Sequence, residues 1–477
     1  MGHSMYEKWI RYAFPELQSL YDKAPYPLQN LLTTARGYTL TQMRYQSLFW
    51  EYLDELLNRE KFTLAEIEAY QNEQLRNLIR YSYENVPFYR KYFSEQNLIM
   101  DDIKTIQDLP KLPVLTRETV RTYWKDLVSL SVPDKQKIKV FTSGTCGAGL
   151  PVIYDETALV KNWAFRARQK VWANINPREW RITFFGSKIV PIRRSHPPFW
   201  TYNYFEKQIL MSIFHLSEEY KKHYIKFLQS YTNLLLEGFP TVLSILSDFI
   251  LDKEINIPMK AVFTDGEPLY PYIREKVESA FKAKIFDHYG MTEWVGLIQE
   301  CEKGRYHLIS DYGILEILDE NYNPVSAGKE GYLVWTGFTN PTMPLIRYQI
   351  GDKGMWDIDQ NCTCERPFPL VHPTITRDSD YLIAPDGRIL SPRAINQLLK
   401  NKTSFKACQF IQEDHNTIII QVVTGNYGAC RDSEEVKKGL YDILGKSINV
   451  LIKEADKPIQ YENGKIPLIV SKLGLPR

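Results

Sequence analysis

The sequence predicts an α/β protein with a large N-terminal domain of α/β subdomains, a barrel-like β section and a small α+β domain at the C-terminus. Three observations lead there. At 477 residues the chain exceeds what one hydrophobic core ordinarily supports. From Lys137 onward, short β-branched runs alternate with helical stretches, the pattern of parallel strands covered by helices. Between Gly313 and Trp356 strand follows strand, with turn signals at Asp319-Glu320-Asn321, Ala327-Gly328 and Gly351-Asp352.

Residues 1–100 read as helical, with apolar positions at helical spacing from Leu40 through Leu57 and from Ile67 through Tyr81, until Pro87 stops the helix. They are expected to pack on a large domain spanning 101–376. Its strands include Ile138-Lys139-Val140 and Arg181 to Phe185, and its helices Glu218 to Leu236 and Tyr270 to Phe281. A hinge near Arg377 leads to a small domain over 377–477, with strands at Thr417 to Val423 and Ile448 to Ile452 and a helix from Ser433 to Ile443. No internal repeat or low-complexity tract interrupts this order.

Charge is nearly balanced, Lys+Arg 59 against Asp+Glu 57, which argues against nucleic acid or an acidic membrane surface as partner. The most apolar stretch, Leu234 to Leu251, is broken by Glu237, Pro240 and Asp248 and falls short of a membrane span. Met1-Gly2-His3-Ser4-Met5 reads as a cloning remnant ahead of a native start at Met5, with no signal-peptide core. Six cysteines in so long a chain then imply reduced thiols and a cytoplasmic location. The 31 tyrosines suit flat pocket walls and suit an ordinary large core equally.

Phe141 to Pro151 follows a β-branched run and concentrates glycines and small hydroxylated residues, which lets backbone N–H groups and hydroxyls close around phosphate oxygens. By itself such a loop also fits a plain surface turn, and it lacks the Gly-Lys-Ser/Thr ending of a Walker A loop. Thr142-Ser143-Gly144-Thr145, with Gly147 and Pro151 nearby, resembles the signature loop of the acyl-adenylate-forming superfamily. Four further segments resemble its motifs in the superfamily's order. They are Thr264-Asp265-Gly266-Glu267-Pro268, Tyr289-Gly290-Met291-Thr292-Glu293, Arg347 to Asp352, and Asn463-Gly464-Lys465. Within the superfamily, Tyr81 to Arg90, Leu109 to Thr116 and Pro197-Pro198-Phe199-Trp200 resemble the phenylacetate–CoA ligase family, especially its branch associated with capsular polysaccharide genes.

The resemblance implies an adenylate-forming fold with a mobile small domain, and a carboxylate attacking the α-phosphorus of ATP as pyrophosphate leaves. It implies that Glu293 holds Mg²⁺, that Thr292 and the loop Thr142, Ser143, Gly144, Thr145 and Gly147 meet the phosphates, and that Tyr289 stacks on adenine beside Gly266, Glu267, Pro268 and Gly290. Asp352 takes the ribose hydroxyls, a natural partner because a carboxylate has two accepting oxygens. Arg377 lies near the ribose, and Lys465 arrives from the small domain as a flexible charge between carboxylate and α-phosphate. Two departures qualify the match. The family's loop carries a Lys after its second Gly, where this chain has Ala148-Gly149-Leu150, and the hinge reads Thr376-Arg377-Asp378-Ser379-Asp380 instead of Gly-Arg-x-Asp-Asp.

Cys301, His307, Cys362 and Cys364 flank the strand-rich section as a Cys-x5-His pair and a Cys-x-Cys pair, a donor set suited to closed tetrahedral structural Zn²⁺. Cys146, Cys408 and Cys430 fit no second cluster. The leading expectation is a carboxylate:thiol ligase that uses ATP and Mg²⁺ and transfers a small, planar or aromatic acid to CoA. Phe184-Phe185-Gly186-Ser187 and Gly238-Phe239-Pro240 wall the acid pocket by resemblance. The alternatives are an adenylate-forming amide or ester ligase or nucleotidyl transferase of surface polysaccharide or cofactor synthesis, and a nucleotide-binding scaffold without activity.

Overall fold

The computed structural model describes residues 20–142, 150–217, 219–373, 381–390, 395, 397–399, 402, 405–424, 430–457, 459 and 467–473. Arg377 and the hinge, Ser143 to Gly149 of the phosphate loop, and Asn463-Gly464-Lys465 lie outside them.

Four helices open the described chain: α1 (Tyr26–Arg44), α2 (Ser47–Arg59), α3 (Leu64–Asn85) and α4 (Pro87–Glu95). The helical run from Leu40 to Leu57 is broken at Tyr45-Gln46, so it belongs to two helices. Thr63 and Glu66 start α3 with a reciprocal capping box, Glu66 N donating to Thr63 Oγ1 and Thr63 N to Glu66 Oε2. Ile67, Gln71, Leu75, Leu78, Ile79 and Ser82 form its buried face. Pro87 both ends α3 and begins α4, where its missing N–H costs no hydrogen bond. The Gln71 amide donates to the Ser310 and Gly313 carbonyls, 3.0 Å each, which ties α3 to the strand-rich section.

After β1 (Leu115–Thr116), α5 (Arg117–Tyr123) and the hairpin of β2 (Ile138–Phe141) and β3 (Pro151–Tyr154), helix α6 (Glu156–Trp172) leads into the main sheet. That sheet comprises β4 (Arg181–Phe184), β5 (Trp200–Asn203), β6 (Gln208–Met211), β7 (Leu235–Gly238), β8 (Ala261–Asp265), β9 (Ile285–Gly290), β10 (Leu297–Glu300) and β11 (Tyr306–Leu308). Their order is β11-β10-β9-β8-β7-β4-β6-β5. From β9 to β6 neighbours run parallel, and the edges at β5 and at β10-β11 are antiparallel. Helices α7 (Lys221–Gln229), α8 (Pro240–Asp252) and α9 (Pro271–Phe281) connect the strands. The expected helix from Glu218 to Leu236 stops at Gln229, because Leu235 and Leu236 enter the buried strand β7.

The strand-rich section is a second sheet. Strands β12 (Gly313–Leu318), β13 (Gly331–Gly337) and β14 (Tyr348–Trp356) run antiparallel, with β1 parallel to β14 and β15 (Val371–Pro373) on its other part. Gly351-Asp352, read from sequence as a turn, lies inside β14. The register breaks opposite it between Tyr332 and Val334, and Gly351 has φ +93°. This is a bulge that re-aims the following side chain, at a backbone angle that favours glycine.

Past the hairpin of β16 (Leu382–Ile383) and β17 (Ile389–Leu390), the C-terminal part forms a sheet ordered β20-β19-β18-β21. It contains β18 (Phe405–Asp414), β19 (Thr417–Thr424), β20 (Asn449–Glu454) and β21 (Ile469–Ser471), packed with α10 (Cys430–Leu444). The pattern matches the predicted strand–helix–strand order. Among the described residues no helix is long and apolar enough to cross a membrane.

Candidate active site

In an open α/β sheet, ligands bind beyond the carboxyl ends of the strands where the chain reverses its direction of winding. Here the reversal falls at β4, whose neighbours are β6 on one side and β7 on the other. Phe184-Phe185 leaves β4 there and Gly238-Phe239-Pro240 leaves β7 beside it, the Phe185 and Phe239 rings meeting edge to face with centroids 5.2 Å apart. A Cβ on Gly238 would lie 3.0 Å from Phe184 Cβ and 3.1 Å from its carbonyl oxygen, so only glycine allows the two strand ends to approach this closely.

Two motif segments emerge from the adjoining strands. Asp265 at the end of β8 pairs with His288 of β9, so Gly266-Glu267-Pro268 leaves the sheet beside Tyr289-Gly290, the last residues of β9, which still pair with β10. Glu267 Oε2 accepts from Thr241 Oγ1 at 2.6 Å and Thr241 N at 3.3 Å, which anchors the segment to the start of α8. Asp265 pairs with Arg166 at 2.8 Å. Thr264 Oγ1 donates to buried Asp287 at 2.5 Å, as does Tyr306 OH at 2.9 Å. Burial, helped by nearby Glu300, pushes the Asp287 carboxyl up to about 7 against the pull of Thr264, Tyr306 and Arg274.

The bulge in β14 brings the remaining segments to the same place. Tyr289 OH donates to Asp352 Oδ2 at 2.9 Å, and the Tyr289 ring lies nearly parallel to Trp335 with centroids 6.2 Å apart. Tyr348, also on β14, donates to Glu293 Oε1 at 3.0 Å. Glu293 is buried in the turn after β9, with half-buried Thr292 before it. Burial raises the Glu293 carboxyl, Arg117 opposes the rise and Asp352 adds to it, so both charges act on Glu293. Arg347 is structural: its guanidinium forks onto Glu316 at 2.8 and 2.9 Å and donates to the Leu112 carbonyl.

Thr142 and Leu150, the described ends of the Gly/Ser/Thr-rich loop, are tied to this group. Thr142 N donates to Leu150 O at 2.9 Å, and Leu150 N donates to Thr142 Oγ1 at 3.0 Å. Arg117 Nη2 donates to the same hydroxyl at 3.0 Å. Thr142, Glu293, Asp352 and Tyr289, drawn from three separated motifs, therefore share one neighbourhood with Arg117 and Tyr348. Neither of the last two received a role from sequence. Arg117 lies one residue beyond the Leu109 to Thr116 stretch, and its contact with Thr142 spans 25 residues, so no local pattern announces it.

A second cluster lies where the β10-β11 hairpin meets the segment before β15. Cys301, His307, Cys362 and Cys364 place their ligand atoms within 4.8 Å of one another. Cys301 Sγ and Cys362 Sγ are 3.8 Å apart, and Cys364 Sγ is 3.3 Å from His307 Nε2. A tetrahedral zinc with Zn–S bonds of about 2.3 Å sets sulfurs about 3.8 Å apart, the spacing of Cys301 and Cys362. His307 Nδ1 pairs with the Phe368 carbonyl at 2.8 Å, leaving Nε2 as the inward donor. Around the cluster, Arg366 bridges Glu60 of the helical region and Glu302 of the hairpin.

Comparisons with known proteins find relatives in sequence and in fold. Residues 382–472 match the CapK C-terminal domain family. The chain is 26% identical over 414 residues to Protein CapK of Staphylococcus aureus, covering 86% of this chain and 89% of the relative. It is 26% identical over 353 residues to a phenylacetate–coenzyme A ligase of Thermus thermophilus, covering 69% and 73% respectively. A crystal structure of 2-hydroxyisobutyryl-CoA ligase with 2-HIB-AMP and CoA shares the fold at TM-score 0.56 and 18% identity, covering 87% of this chain and 92% of that one. The postadenylation state of the same enzyme gives a TM-score of 0.54 at 18% identity, covering 87% and 91%. The chain is thus similar in sequence to CapK and to phenylacetate–CoA ligases, and it shares the fold of a ligase that forms acyl-AMP and acyl-CoA.

Proposed function

We propose that the protein activates a carboxylic acid as its acyl-AMP and passes the acyl group to a thiol, with CoA as acceptor. The observation that carries this reading is the meeting of Asp352, Tyr289, Glu293 and Thr142 beside the carboxyl ends of β8 and β9. Acyl-AMP formation needs a carboxylate oxygen to attack the α-phosphorus while diphosphate leaves, so positioning and charge neutralisation dominate the catalysis. Asp352 accepts from the ribose hydroxyls, Tyr289 lies along the base, and Glu293, buried and oriented by Tyr348, holds Mg²⁺. The metal supplies charge neutralisation at the phosphates. Thr292 and the loop from Thr142 through Ser143, Gly144, Thr145 and Gly147 donate to phosphate oxygens.

Phe185 and Phe239, beside Gly238, favour a planar or small acid at the winding reversal. We assign 377–477 as the small domain, with Arg377 near the ribose and Lys465 delivered to the carboxylate and α-phosphate. Tyr381, buried at the start of its described part, sets its hydroxyl 3.1 Å from Thr241 Oγ1. Zinc is the metal proposed for the Cys₃His cluster, as a structural ion. The unpaired thiols of Cys301, Cys362, Cys364 and Cys408 suit the cytoplasm.

A second reading keeps the first half-reaction and changes the acceptor to an amine or hydroxyl in surface polysaccharide synthesis. The match to CapK, which covers 86% of the chain against 69% for the Thermus ligase, is what keeps this acceptor class in the test. Acid-dependent exchange of labelled pyrophosphate into ATP, measured across a panel of acids, tests the shared step. Exchange with at least one acid is expected. Its absence with every acid contradicts both readings, and product analysis with CoA or an amine then separates them.

A further inference from the structure

The phosphate loop of this chain lacks the lysine that its family carries there, yet a diphosphate leaving group must find positive charge as it departs. Three observations place one at the loop from outside its sequence. Arg117 Nη2 donates to Thr142 Oγ1, the hydroxyl that also closes the loop onto Leu150 N. The same guanidinium acts electrostatically on both Glu293 and its partner Tyr348. It is half-buried and lines an open cleft of about 350 Å³ together with Glu320, Tyr322, Tyr332, Gln349 and Gly351, so it is reachable from solvent.

Resting on the adenylation reading, we propose that Arg117 binds the β- and γ-phosphates of ATP and stabilises the departing diphosphate, the part that a loop lysine plays in relatives. As the carboxylate oxygen bonds to the α-phosphorus, the bond from that phosphorus to the bridging oxygen breaks and its electron pair passes to the diphosphate. Arg117 neutralises the charge that develops there. A guanidinium suits the task better than an ammonium because its planar fork meets two phosphate oxygens and stays charged at every relevant pH.

The structural alternative is that Arg117 merely buttresses Thr142, and the two roles differ in which nucleotide feels the loss. Calorimetric titration of the full chain with ATP and with AMP, for wild type, Arg117→Met and Arg117→Lys, separates them. We expect Arg117→Met to weaken ATP by about 10–100-fold while AMP stays within about twofold, with Arg117→Lys in between. Release of AMP from supplied acyl-AMP and acceptor should be unaffected, since no diphosphate takes part in that step. Equal loss of ATP and AMP affinity overturns the proposal in favour of the buttress, and so does undiminished ATP binding. In both cases the adenylation reading survives. A wild-type chain that binds neither nucleotide overturns both.

Discussion

Asp352 receives one hydrogen bond from Tyr289 and is aimed by the glycine bulge immediately before it. If it also takes the ribose hydroxyls, Asp352→Ala removes charge-assisted bonds, and the KM for ATP should rise by about 10–100-fold while thermal stability changes little. Steady-state kinetics against ATP checks this, and an unchanged KM contradicts the assignment. Asp287 supports a prediction of a different kind. Its carboxyl is raised from 3.8 to about 7 in the folded protein. Between those values the native state holds a proton that the unfolded chain has given up. The contribution is therefore complete below the ordinary carboxylate range and is lost as pH rises through about 7. Urea melts across this window should show Asp287→Asn with a flatter decline in stability than wild type, and identical pH slopes contradict it. At this scale the motifs made Thr142, Tyr289, Glu293 and Asp352 legible, because each lies in a short run with its own chemical pattern. Arg117 and Tyr348 act through partners 25 and 55 residues away, and no sequence window joins them.

The Cys₃His cluster is decided at the level of elements, since it joins the β10-β11 hairpin to the chain entering β15. Cys364→Ser removes one of three thiolates. Purified wild type should carry about one zinc per chain by elemental analysis, and the variant should lose it and melt several degrees lower. Metal-free wild type with an unchanged melting temperature contradicts the site. The cluster could be read beforehand because both ligand pairs have metal-ligand spacing. Gly351-Asp352 was misread because glycine marks bulges and turns alike, and only the partner strand β13 decides between them. The expected helix to Leu236 overran for a related reason. Leu234, Leu235 and Leu236 carry no periodicity that separates a buried strand from a helix, and the parallel pairing of β7 with β4 and β8 settles it.

Across the whole molecule, alternating strands and helices announced an α/β architecture but not the order of the sheet. The position of β4 between β6 and β7 follows from crossover connections, which composition does not encode, and it is what makes Phe185 and Phe239 neighbours. The C-terminal part meets the large domain through Tyr381 at Thr241, through Arg388 at the Phe214 carbonyl and through the Arg193–Asp442 ion pair. Lys465 belongs to that part, and its proposed role is confined to the reacting carboxylate and α-phosphate. Lys465→Ala should therefore lower pyrophosphate exchange by at least about 100-fold while ATP binding holds within about threefold. Exchange indifferent to the substitution refutes the role.

The decisive measurement follows one oxygen atom. A carboxylic acid that supports turnover, labelled with ¹⁸O in its carboxylate, is incubated with the protein, ATP and the acceptor, and the nucleotide product is analysed by mass spectrometry. Attack on the α-phosphorus, followed by cleavage of the acyl–oxygen bond, predicts AMP carrying one ¹⁸O. Label in inorganic phosphate with ADP as the nucleotide product, or unlabelled AMP, would contradict the formation of an acyl-AMP in this cleft.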